Sequence, residues 1–155
     1  MDKVLLFQNL KNEVDLQLKH AVDAVKITLD FATHEESKPE NKYDTRGLEA
    51  SYLARAQSER VLDLKDLRSV IENLKIRDFT ASQPIAITAL VQLESNNKNI
   101  WILLLPKGGG QSFLCDSISV KVITPESPLG AQLIGKTVDE IVHIKDIEYL
   151  IVKIL

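Results

Sequence analysis

The side chains that could do chemistry gather in one stretch. Between Thr33 and Gly47, in THEESKPENKYDTRG, stand the carboxylates of Glu35, Glu36, Glu40 and Asp44, with His34 beside them as a group able to titrate near neutrality. Lys38, Lys42 and Arg46 are interleaved, so the stretch is not strongly acidic. On residue types alone it reads as a solvated turn whose charges keep it soluble and cap the adjoining helices. The other reactive types are scattered. The one cysteine, Cys115, follows Phe113 and Leu114, reads as a buried inert thiol, and excludes an internal disulfide or a multi-cysteine zinc site. His20, His34 and His143 fall at no metal-ligand spacing. Gly108-Gly109-Gly110 is followed by no Lys-Ser/Thr pair and no helical pattern, so it reads as a connecting loop and not as a phosphate cradle. Ser127 has work as a helix cap and no neighbouring base to make it a nucleophile.

Long amphipathic segments flank the carboxylate stretch. From Val4 to Ala32 the positions Phe7, Leu10, Val14, Leu18, Ala21, Val25, Leu29 and Ala32 step by three and four, marking one apolar seam on a helix roughly 45 Å long at about 1.5 Å per residue. Pro39 removes a donor and biases Lys38 out of the α region, so the chain reverses there. Leu53, Ala56, Leu64, Leu67, Ile71 and Leu74 then repeat the spacing, with Arg60 read as a polar interruption of the seam. Asp44 or Thr45 is the expected cap of this second helix. A short connection makes the two helices an antiparallel hairpin, a coiled coil over 1–79 with its tip near 33–47.

After Phe79 the grammar changes. Ala81-Ser82-Gln83-Pro84 reads as a linker, Ile85 to Glu94 as a half-buried strand, Ser95 to Asn99 as a turn and Ile100 to Leu105 as a more apolar strand with Trp101 in the core. Ser119 to Thr124 is a further strand. Ser127 as N-cap, Pro128 at the first helical position and Gly135 beyond the end mark a short helix. Ile141 to Ile144 and Ile147 to Leu155 close the chain as strands. The expected fold class is α+β, with the hairpin followed over 80–155 by a small, mainly antiparallel domain.

The formal net charge of −3 and pI near 5.6 argue against a surface built to neutralise nucleic-acid phosphates. No run approaches the ~20 apolar residues that span a bilayer, and the first residues lack the blocks of a signal peptide, so the expected location is cytoplasmic.

Two stretches resemble the Gre transcript-cleavage factors of bacteria. Ser127-Pro128-Leu129-Gly130 through Leu133-Ile134-Gly135-Lys136, followed by Ile147-Glu148-Tyr149, looks like the S-P-[LI]-[GA]-x-x-[LI]-[LI]-G-K segment and closing strand of that family's C-terminal domain. His34-Glu35-Glu36-Ser37-Lys38-Pro39-Glu40-Asn41 is similar to its H-G-D-L-K-E-N hairpin tip with one residue inserted. The order of parts agrees along nearly the whole chain.

The resemblance implies an FKBP-like C-terminal domain that docks on RNA polymerase through Glu126, Ser127 and Pro128, and a coiled coil that enters the polymerase secondary channel. In the family a tip Asp and Glu help hold a magnesium ion shared with the polymerase, so that backtracked RNA is cut. Glu40 falls on the family Glu, and Glu36 on the family Asp if Pro39 is the insertion; without that gap the position is Ser37. Carboxylate oxygens are suitable hard ligands for magnesium. The chain would then be an accessory of the polymerase and no enzyme itself, without a cofactor of its own, meeting nucleic acid only through the polymerase, monomeric and away from membranes. The alternatives are a channel-occupying competitor without cleavage activity and a coiled-coil protein with another partner.

Overall fold

The computed structural model describes residues 2–33, 45–96 and 98–155, and within them not the side chains of Phe31, Ala32 and Arg46. Helix α1 runs Lys3–Thr33 and α2 Arg46–Asn73; six strands follow, β1 Leu90–Ser95, β2 Lys98–Leu104, β3 Ser112–Cys115, β4 Ile118–Ile123, β5 Ile141–Ile144 and β6 Ile147–Ile154, with the short helix α3, Pro128–Leu133, between β4 and β5. This is the expected class, a helical pair followed by a mainly antiparallel sheet. The sheet order is β3-β4-β2-β1-β6-β5, and of its pairings only β2 with β4 is parallel.

By compactness the chain divides into a unit of residues 11–69 and a unit of residues 1–10 with 70–155. In the first, α1 and α2 run antiparallel: Asp15 Oδ1 lies 2.6 Å from Arg68 Nε, and further along Arg60 Nη2 donates to Gln17 Oε1 at 3.2 Å. The α1 seam follows the expected spacing, with Val14 buried and Leu18, Ala21 and Val25 half-buried, until Leu29, which is exposed.

The α2 seam holds at Leu64, Leu67 and Ile71, which are buried as expected, and is corrected toward its start. Ala50, Ala54, Val61, Leu64 and Leu67 are buried, whereas Leu53 is 53% exposed and Ala56 and Arg60 face out. Spacings of three and four fit both tracks, and the expected one followed the bulkier leucine. Two helices that approach closely instead bury the small residue and turn Leu48, Tyr52 and Leu53 outward. The polar interruption of the seam is therefore the half-buried Gln57, between Ala54 and Val61, and not Arg60. At the start of α2 the Thr45 carbonyl accepts from Glu49 N at 2.9 Å while its hydroxyl donates to Glu49 Oε1 at 2.7 Å; Asp44 lies outside the described residues.

In the second unit the sheet is buried on both faces. Pleat alternation puts Val91, Leu93, Ile102, Leu104, Val142, Ile151 and Ile154 on one face, packed with Phe79, Ile85 and Leu133 of α3. On the other face lie the buried Leu90, Leu103, Phe113, Cys115, Val120 and Val122. Trp101 is only half-buried. The strand expected from Ile85 begins at Leu90: the preceding residues form a loop in which Thr88 takes φ 72°. The hairpin strand β3, after the glycine run, has no counterpart in the periodicity. Its turn to β4 puts Asp116 and Ser117 at φ 50° and 64°, the left-handed pair of a tight two-residue connection.

The N-terminus of α1 also belongs to this unit. Asp2 caps it, its Oδ1 accepting from Val4 N at 2.8 Å. At the first helical position, Lys3 is only 8% exposed, its amine donating to the Arg77 carbonyl and lying 4.6 Å from the Phe79 ring centre. Burial pushes this amine down from 10.5 to about 8, with Asp78 opposing and Arg77 adding to the effect. Because the folded chain releases this proton more readily than the unfolded one, stability attributable to Lys3 is flat below about 8 and rises from there toward 10.5. Denaturant melts of wild type and Lys3→Met across that range should therefore show wild type gaining on the variant as pH rises. A constant difference would mean that Lys3 keeps its ordinary affinity for the proton.

Candidate functional site

Of the residues expected to act, Glu36 and Glu40 lie outside the described residues, as do His34, Glu35, Ser37 and Asp44. Glu126, Ser127 and Pro128 are described, at the entry to α3. As the chain leaves β4, the Thr124 carbonyl accepts both Ser127 N at 3.0 Å and Ser127 Oγ at 2.7 Å. The same Oγ accepts Gly130 N at 3.0 Å, and the Ser127 carbonyl accepts Ala131 N at 2.9 Å. Pro128 takes the first helical position, where its missing N–H costs no hydrogen bond.

This knot closes only because residue 130 has no side chain. A Cβ there would stand 2.0 Å from the Thr124 carbonyl oxygen and 2.9 Å from Ser127 Oγ. At the far end of α3, Ile134 N donates to Gly130 O at 3.0 Å and Gly135 turns left-handed at φ 81°. Two bonds then fasten the exit to the start of the domain: Gly135 N to Ile85 O at 2.9 Å and Ile85 N to Lys136 O at 2.8 Å. Leu133 is fully buried and plugs the helix into the core.

Sequence reasoning assigned jobs to Ser127, Pro128 and Gly135 and missed Gly130. The available signal was a glycine inside a helix, which costs about 1 kcal/mol against alanine and so asks for a steric reason. The Ser127 side chain is spent on the turn: its hydroxyl both donates and accepts within the knot. Glu126 and Pro128 are exposed. They flank Ser127, on a backbone that the knot fixes in place. Such a feature suits docking against a complementary surface.

Nearby, Glu140 accepts from Thr137 N at 2.6 Å and from Lys136 Nζ at 3.0 Å. The backbone N–H of Thr137, then the Lys136 amine, hold its carboxyl below the usual range. Among the described residues no group of three or more His, Cys, Asp or Glu side chains is placed to hold a metal ion. No helix among them is long and apolar enough to cross a membrane.

No protein family's profile matches the chain, and no curated protein matches it. Solved structures do align with it. GreA factor homolog 1 (Gfh1) of Thermus thermophilus aligns over 94% of both chains at 18% identity and a TM-score of 0.38. Gfh1 of Thermus aquaticus aligns over 92% of both at 16% identity and a TM-score of 0.36. The transcription elongation factor GreA/GreB of Nitrosomonas europaea covers 69% of this chain and 91% of its own, at 12% identity and a TM-score of 0.36. All three are Gre-type transcription factors.

Proposed function

We propose that this chain regulates transcription elongation by binding RNA polymerase through the Glu126–Pro128 turn and placing its helical hairpin in the secondary channel. The observation that carries the proposal is the turn itself. The Ser-Pro-Leu-Gly…Leu-Ile-Gly-Lys segment that resembles the Gre factors folds as one anchored knot, and two exposed residues, Glu126 just before it and Pro128 within it, flank the Ser127 cap. A helical pair precedes this domain in the order the resemblance requires.

In this reading the chain is an accessory and the polymerase supplies the reacting centre. Glu36 and Glu40 are the proposed tip groups, and their carboxylates would offer oxygen ligands to a magnesium ion shared with the polymerase. Neither lies among the described residues.

A halted, backtracked elongation complex separates the two forms of this function. With magnesium present, a shortened RNA 3′ end that fails to appear with Glu36→Gln and with Glu40→Gln is the result expected of a cleavage factor. Tight binding without cutting, indifferent to both substitutions, would make the chain a competitor for the channel. Absence of any association would remove both.

A further inference from the structure

The outer edge of β5 is closed by a side chain. In the pairing of β5 with β6, Val142 and Ile144 face Tyr149 and Ile147 and exchange backbone hydrogen bonds with β6, so the N–H and C=O of Ile141 and His143 point away from the sheet. β5 is the last strand, and an unpaired row of this kind is a template for another strand. Gln132 of α3 meets it. Its Nε2 donates to the His143 carbonyl at 2.9 Å and its Oε1 accepts from His143 N at 2.9 Å. One carboxamide thus imitates the peptide group of a missing neighbour.

We infer that Gln132 guards β5 against pairing with β5 of a second copy of this chain. The occupant follows from the register. An antiparallel pair of β5 strands with its two-fold axis at Val142 sets Ile141 of one copy opposite His143 of the other, and these are the outward-facing residues, so their peptides exchange hydrogen bonds in both directions. The edge is self-complementary, and Ile141, 46% exposed, adds apolar surface at the same place. With His143 engaged by Gln132, only Ile141 remains to pair. The strand is also short, at 4 residues, so one clasp covers half of its outward groups. α3 can hold Gln132 there because Ser127 and Gly130 fix its start and Leu133 its burial. The inference does not depend on the proposed function.

Sedimentation velocity over a hundredfold range of concentration tests it. Wild type should show no association through this edge, and Gln132→Ala should shift toward twice the mass at the upper end. Adding Ile141→Lys, which sets a charge on the edge, should return the variant to the wild-type mass. A folded Gln132→Ala protein with wild-type sedimentation would overturn the inference, as would association that Ile141→Lys leaves unchanged. Should the alanine variant not fold, Gln132→Asn, one methylene too short to reach both groups, carries the same expectation. Hydrogen exchange in wild type is a second check: the His143 amide, on the open side of an edge strand, should be protected, and free exchange there would also overturn it.

Discussion

Replacing Gly130 by alanine should cost about 4 kcal/mol, among the larger effects a single methyl group can have. The added Cβ would lie 2.0 Å from the Thr124 carbonyl oxygen, a backbone atom that already accepts two bonds from Ser127. Relief requires the β4–α3 turn to open, which breaks the cap and pulls on Leu133 in the core. For a chain of this length 1 kcal/mol corresponds to roughly 2–4 °C, so a fall in Tm of about 10 °C is expected. Ala131→Gly, one position on and exposed, changes only helix propensity and should cost about 1 kcal/mol. Equal effects of the two substitutions would show that the close approach at Gly130 does not exist.

The second large effect is local. Leu64 is 1% exposed on the α2 seam, and Leu64→Ala should cost about 2–5 kcal/mol through lost burial and the cavity left behind. Among the described residues the unit of residues 11–69 consists of two helices, with small or half-buried residues along much of the seam: Ala50 and Ala54 on α2, Ala21 and Val25 on α1. A loss of that size is most of what such a pair can supply. Hydrogen exchange should therefore quicken across 11–33 and 46–69 in the variant while the amides of β1, β2 and β6 keep their protection, because opening in proteins follows compact units. Uniform loss of protection across both units would show that they unfold as one.

The contrast between these residues explains what could be read in advance. α1 and α3 were legible because their signals are local: a continuous three-and-four spacing in one, and Ser127, Pro128 and Gly135 at the ends of the other. Strands β2, β4, β5 and β6 were legible from runs of Ile, Leu and Val. The first half of the α2 seam was not, because its positions there are the alanines Ala50 and Ala54, and a reading weighted by hydrophobic bulk prefers Leu53. β3 was hidden by its 4-residue length and the glycine run before it. Gly130 and Gln132 answer to partners six residues or more away, Thr124 and His143, which no periodicity announces. At the candidate site, Ser127 and Pro128 take the cap and first helical positions expected of them. Only the structure separates Ser127, consumed by the turn, from Glu126 and Pro128, left exposed. Ser127→Asp would consequently test folding as much as docking, since it sets a carboxylate against the Thr124 carbonyl.

Native mass measurement with core RNA polymerase is the most direct test of the proposed function, and the exposed pair supplies its variants. The wild-type chain at micromolar concentration should appear on the polymerase as a single copy. Glu126→Lys with Pro128→Ala, which leaves the Thr124–Ser127–Gly130 knot intact, should lower the bound fraction at least about tenfold, the equivalent of about 1.4 kcal/mol. A chain that never associates, or a double variant that folds normally and binds as well as wild type, would contradict docking through this turn.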